Sequence, residues 1–145
     1  MRSLLFLLPF LMLAQTDTKP PAGQKAVLTA SAKGVQIYSC QDGKWVFQAT
    51  EAKLYDAAGK EIGSHGAGPV WTLRDGRHVK GQVIAKSDAP AAGDLQWLLL
   101  KGEENFKYIR QWATHGGVAP TSGCETGAVS RVPYTATYRF YSATR

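Results

Sequence analysis

The feature that most constrains the fold is a rhythm of short runs rich in β-branched and aromatic residues, broken by turn residues. Gly34–Cys40 (GVQIYSC) and Lys44–Thr50 (KWVFQAT) flank Asp42-Gly43, a dipeptide suited to a tight hairpin turn. Ala52–Tyr55 leads through Asp56-Ala-Ala-Gly59 into Lys60–Gly63, and Val70–Leu73 and His78–Ala85 flank a second Asp-Gly turn, Arg74-Asp75-Gly76. Ser87–Asp94 (SDAPAAGD) has loop composition. Leu95–Leu100 (LQWLLL) is nearly all apolar and suits a strand buried on both faces. Tyr134–Tyr141 (YTATYRFY) alternates, with Tyr134, Ala136, Tyr138 and Phe140 on one face and Thr135, Thr137 and Arg139 on the other. That is the pattern of a half-buried antiparallel strand. Asn105–Thr114 (NFKYIRQWAT) reads two ways. Phe106, Ile109 and Ala113 share a helical face, whereas Phe106, Tyr108, Arg110 and Trp112 share a strand face; the aromatic content favours strand. The expected class is all-β, an antiparallel sandwich or barrel of about eight or nine short strands. His115–Pro133 is rich in Gly and Pro and reads as a loop longer than usual, of the kind that is functional or tied down.

The chain begins with a short positive start, Met1–Arg2, then an apolar run, Ser3–Leu13, and the small residue Ala14. This is the layout of a secretory signal peptide. The run is too short to span a bilayer, which takes about 20 residues, so no stable membrane insertion is expected after cleavage. The expected organisation is a signal peptide over 1–14, a flexible linker over 15–24 (QTDTKPPAGQ), and one β domain over 25–145. The expected location is secreted or periplasmic. Cys40 and Cys124 are the chain's two cysteines. In an oxidising compartment an even pair reads as a disulfide, and here it would anchor the long loop to the sheet. Free thiols for redox or metal chemistry are the rival reading, but no Cys-x-x-Cys or Cys/His spacing supports it.

The chain carries 17 Lys+Arg against 11 Asp+Glu, a net charge of +6. The positive residues are scattered; the one local concentration, Arg74–Lys80, is interrupted by Asp75. Such an excess serves solubility or weak association with anionic partners. It does not mark a nucleic-acid-binding protein.

Several segments in order carry a family likeness: GVQIYSC (34–40), Trp45-x-Phe47, EAKLYDAAG (51–59), His65-x-AGP-x-Trp71, DGRHVKG (75–81), QWLLLK (96–101), GGVAP (116–120), Cys124 and YTATYRFY (134–141). The set resembles the exported family known as domain of unknown function 3455, found in bacteria and fungi, over roughly Gln24–Tyr141. The resemblance implies a secreted single-domain protein without an established activity. Two positions depart from the family's pattern. Thr50 stands where a Pro usually precedes Glu51, and His115 stands where a small or aliphatic residue precedes the Gly-Gly.

Candidate chemistry centres on Glu51, His65, Trp71 and Asp75. A Glu51 carboxylate beside His65 would fix the imidazole tautomer for general-base work, with Asp75 as a further acid and Trp71 flooring a ligand pocket. Each has a plainer role: a surface ion pair for Glu51, turn chemistry for His65 and Asp75, core packing for Trp71. His65, His78 and His115 with Glu51 would suit zinc, but no two of them have ligand spacing. Ser39, Ser64 and Ser122 lack any nucleophile signature. No phosphate-binding glycine motif occurs, so no cofactor is called for. Four Trp, six Tyr and five Phe offer platforms for flat ligands or the substance of a core. Trp71 and Trp112, near glycine-rich loops, are the better ligand-binding candidates. Gly66-Ala67-Gly68-Pro69 and Gly116-Gly117 either bring backbone close to a ligand or supply turns.

Three functional classes follow. The first is a non-catalytic module binding a small molecule or glycan, which requires an aromatic-lined concavity near Trp71. The second is a small secreted hydrolase or metal-dependent enzyme, which requires Glu51 and His65 within about 3–4 Å in a pocket. The third is an extracellular structural or interaction protein, which requires an exposed apolar patch or an unprotected edge strand.

Overall fold

The computed structural model describes residues 17–144; the expected leader, 1–14, lies outside them. Eight strands make up the regular structure: β1 (Gln24–Gln41), β2 (Lys44–Tyr55), β3 (Glu61–Gly66), β4 (Val70–Leu73), β5 (His78–Ser87), β6 (Trp97–Gly102), β7 (Tyr108–Gly116) and β8 (Val129–Ala143). Each pairs antiparallel with the next, and β1 also pairs with β8, so the sheet closes into a barrel. Of the two expected all-β architectures, the barrel is the one formed, and among the described residues closure leaves no exposed edge strand.

Local chemistry accounts for the turns. Asp42 and Gly43 both take positive φ, 52° and 78°, the signature of a type I′ turn whose twist matches its flanking strands. Asp56 Oδ1 accepts the Ala58 and Lys60 N–H groups, each at 2.9 Å, and closes the β2–β3 turn. Asp75 Oδ1 does the same for the Arg77 N–H at 2.9 Å in the β4–β5 turn.

Three expectations are corrected in extent. β1 starts at Gln24, well before Gly34, and Ala30 and Ala32 on its early half point into the core. Alanine alternating with Lys, Thr and Ser gives little hydrophobic contrast, which hid this stretch. The long loop is only 117–128, because β7 runs to Gly116 and Val129–Pro133 pair with β1. Pro133 is tolerated there because β8 has β7 as a neighbour only from Tyr134 onward. In the ambiguous segment, Tyr108–Gly116 is strand, and Tyr108, Arg110 and Trp112 do share a face. Phe106 does not belong to that face. It precedes the strand and turns inward, where it is 1% exposed.

The barrel interior divides into two halves. At the end holding the β2–β3, β4–β5 and β6–β7 turns, Leu54, Leu73, Val79, Phe106, Ile109 and Phe140 form a packed core. Phe106 acts as a plug, its ring against Phe140 with centroids 4.9 Å apart, and the Arg77 guanidinium covers it at 5.3 Å. At the opposite end the inward positions of the same strands carry Gln36, Thr50, His65 and Gln111, all buried and all polar.

Candidate functional site: the open end of the barrel

The polar half of the interior is not filled. A cavity of about 620 Å³ opens at the end bounded by the β1–β2, β3–β4, β5–β6 and β7–β8 connections. Its lip is apolar: Phe47, Val83 and Val118 line it and are 54%, 45% and 40% exposed. Leu98 and Leu100 contribute apolar wall below the lip, and Gly66–Pro69, with the Gly68-Pro69 bond cis, forms one side.

His65 and Trp71 form the floor. They are directly opposite on β3 and β4, and their rings stack 4.2 Å apart at 6°. Tyr138 backs both, edge-on, at 5.0 Å from His65 and 5.4 Å from Trp71. His65 Nδ1 lies 3.0 Å from the Val70 carbonyl oxygen. A carbonyl only accepts, so Nδ1 carries the proton and Nε2 presents a lone pair. Burial pushes the imidazole down to about 4, outweighing the carbonyl's opposing pull, so His65 is neutral at pH 7. Nε2 has no protein partner among the described residues.

The remaining polar wall is largely satisfied from within. Thr50 Oγ1 donates to Gln36 Oε1 at 2.7 Å. Tyr138 donates its phenol proton to Gln111 Oε1 at 2.7 Å, so the 3.2 Å contact between the two phenols has Tyr134 as donor. Gln111 Nε2 in turn donates to the Gln96 carbonyl at 2.9 Å. Burial raises the Tyr134 phenol to about 12 and that of Tyr138 as well, keeping both protonated. Tyr38, whose ring meets Phe47 edge-on at 5.9 Å, donates its hydroxyl to the Gly117 carbonyl at 2.5 Å. Gly117 has φ of 92°, and a Cβ there would stand 2.8 Å from Leu95 and Tyr134 side chains. Only glycine brings this carbonyl so close. Asp94 sits at the same corner of the mouth, its Oδ1 accepting the Gly116 N–H at 2.8 Å.

The mouth is braced. Cys40 and Cys124 are joined in a disulfide, which ties loop 117–128 to the β1–β2 hairpin. Cys40 N–H donates to the Ala128 carbonyl at 2.8 Å, Gly127 N–H to the Cys40 carbonyl at 3.1 Å, and Trp45 Nε1–H to the Ser122 carbonyl at 3.1 Å.

Of the residues singled out from sequence, the cavity brings together His65 and Trp71. Glu51 points outward, because alternation along β2 turns Thr50 and Ala52 inward; it pairs with Arg131 at 2.6 Å on the surface. The barrel wall therefore separates its carboxylate from His65, and the two cannot act as a catalytic pair. Asp75 lies at the far end in the β4–β5 turn, where Arg77 hydrogen bonds hold its carboxyl below the usual range. Trp112 is on the outside of the wall. Arg110 stacks over both Trp97, at 5.7 Å, and Trp112, at 5.2 Å, and Arg139 covers Trp112 at 5.2 Å. Thr18, 3% exposed, receives a hydrogen bond from Arg110 Nε at 3.4 Å on this outer face. His78 faces Glu104 at 2.9 Å on the surface, and His115 is exposed. The three histidines thus stand apart, and no group of three or more His, Cys, Asp or Glu among the described residues is placed to hold a metal.

Sequence reasoning missed Gln36, Thr50, Gln111 and Asp94. The signal for the first three was parity: Gln36 falls in step with Tyr38 and Cys40, Thr50 with Ala52 and Leu54, Gln111 with Ile109. A polar residue at an inward position is the mark of a lined space. Thr50, one of the two departures from the family pattern, puts a hydroxyl into that lining.

Neither a curated protein nor a solved structure matches the chain. The family model described as "Protein of unknown function (DUF3455)" matches residues 21–142, and the chain belongs to that family.

Proposed function

We propose that this is an exported, non-catalytic protein that binds a small molecule in the open end of its barrel. The observation that carries the reading is the cavity of about 620 Å³ with an apolar, exposed lip and a stacked aromatic floor. It lies in the size range of small-molecule sites, which are concave and mostly apolar with a few placed polar groups. Eight strands is also the size at which a barrel either fills with side chains or holds one small ligand. A glycan fits less well, because Trp71 is 1% exposed and cannot lie flat against a sugar ring from solvent. Export is supported by the apolar leader together with the formed disulfide, a bond that persists in oxidising compartments.

Titration with the neutral apolar dye Nile red tests the site. The expected result is saturable fluorescence enhancement, weakened about tenfold when the lip is plugged by Val83→Trp. Absence of saturable binding, or binding indifferent to the plug, overturns the reading. Native mass spectrometry of the protein from its own secreting cells tests occupancy and export together. A chain retaining Met1 in the cytosol with both thiols free to alkylation would overturn the exported assignment.

A further inference from the structure

The chain is basic, with 17 Lys+Arg, yet no Lys or Arg lines the cavity. The one ionised group at its wall is the Asp94 carboxylate, anchored by the Gly116 N–H. On the floor, the Nδ1–H of His65 is committed to the Val70 carbonyl, leaving Nε2 as an acceptor. The donors of Thr50, Tyr138 and Tyr38 are likewise committed, to Gln36, Gln111 and the Gly117 carbonyl. The cavity therefore offers apolar surface, an unpaired imidazole lone pair on the floor and a negative charge at the mouth; its uncommitted donors, the buried Trp71 Nε1–H and the Gln36 amide, are neutral and carry no positive charge.

We propose that the cavity selects uncharged, largely apolar molecules carrying a hydroxyl donor, such as fatty or aromatic alcohols, and rejects the corresponding carboxylates. A ligand hydroxyl donating to His65 Nε2 satisfies the lone pair and keeps its donated hydrogen bond on leaving water. A carboxylate has no proton to donate there. It would be desolvated without a cation to meet it, and it would pass Asp94 to enter. The neutral state of His65 near pH 7 means that it does not become the missing cation. A cationic amine would gain Asp94 at the mouth, but its charge would then be held away from the apolar floor.

This inference rests on the cavity being the ligand site, and one series separates the two claims. Displacement of Nile red is measured at pH 7 with dodecanol, dodecanoate and dodecylammonium, three heads on one tail, below their aggregation limits. The expected order places dodecanol first, with dodecanoate weaker by at least about tenfold, the usual worth of one unmet buried hydrogen bond. His65→Phe should cut dodecanol affinity about tenfold more than it changes Nile red affinity, because the dye has no hydroxyl to donate. His65→Gln, which keeps an acceptor, should restore part of the loss. Asp94→Asn should raise dodecanoate affinity relative to that of dodecanol. Dodecanoate or dodecylammonium binding as tightly as dodecanol overturns the head-group inference and leaves the ligand site standing. Failure of Nile red and all three ligands to bind removes the site and the inference with it.

Discussion

Lowering the pH from 7 to 4 forces a proton onto His65, and the barrel interior resists it. The imidazole is 6% exposed, sandwiched between Trp71 and Tyr138, and burial brings it down from 6.5 to about 4. The unfolded chain, with its histidine near the ordinary value, takes up the proton first. Stability from this group is thus complete above about pH 6.5 and is lost as the pH falls toward 4. At about 1.4 kcal/mol per pH unit across that interval, the loss between pH 7 and pH 4 comes to about 3 kcal/mol. Carboxylates titrate in the same window, so the comparison must be with a variant lacking the imidazole. Urea unfolding of wild type and His65→Phe at both pH values isolates it. The phenyl ring keeps the stack on Trp71, and its lost bond to Val70 affects both pH values alike. Wild type should lose about 3 kcal/mol more than His65→Phe on acidification. Equal losses, or an NMR midpoint for the His65 ring near 6.5, would refute the assignment of a neutral imidazole sealed into the floor.

Other expectations address the frame around the site. Cys40→Ala/Cys124→Ala opens a bridge spanning 84 positions and should lower stability by about 4–5 kcal/mol in the chain-entropy model; a loss below about 1 kcal/mol by urea unfolding would show that the hairpin contacts alone hold loop 117–128. Phe106→Ala should cost about 3–5 kcal/mol as a core cavity without changing Nile red affinity, since the plug is at the closed end; altered dye binding would contradict the division of the interior. Glu51→Gln removes an exposed pair with Arg131, so stability should shift by no more than about 1 kcal/mol and dye binding should not move. Replacing both members of a bonded pair, Gln36→Leu/Thr50→Val, should be neutral or stabilising within about 1 kcal/mol, whereas either single substitution leaves a partner unmet and should cost about 1–3 kcal/mol by the same assay.

The fold was legible where chemistry is local. Asp42-Gly43 states its turn in two residues, and Tyr134–Tyr141 states its inward face by strict alternation, which the barrel respects at Tyr134, Ala136, Tyr138 and Phe140. The early half of β1 was illegible because its inward residues are alanines, too small to stand out from the threonines and serines between them. The same small size leaves room inside the barrel for the Tyr138 ring, whose residue pairs with Ala30 across the β1–β8 ladder. The site was half legible for a related reason. His65 and Trp71 stand out by residue type, whereas Glu51 attracted attention by type while its parity, opposite to that of Ala52 and Leu54, already placed it outside. Asp94 joins the mouth through a lone bridge to Gly117, a contact between residues far apart in sequence that no local pattern announces.

An eight-stranded barrel can be filled by its own side chains, and one half of this one is. Phe106, Ile109 and Phe140 leave no space at the closed end, so the chain has the means to complete its core. At the open end the corresponding inward positions hold Gln36, Thr50, His65 and Gln111, and the wall between β3 and β4 is built from glycine, alanine and proline. Leucine at any of the four strand positions would bury more apolar surface and add to stability at about 25 cal/mol per Å². The polar alternative is affordable only because the groups are bonded to one another, Thr50 to Gln36 and Tyr138 through Gln111 to Gln96. That bonding accounts for much of the wall and leaves two floor atoms without a protein partner among the described residues, the His65 Nε2 lone pair and the buried Trp71 Nε1–H. The acceptor on the floor of the open space is the group that the proposed hydroxyl ligand would satisfy.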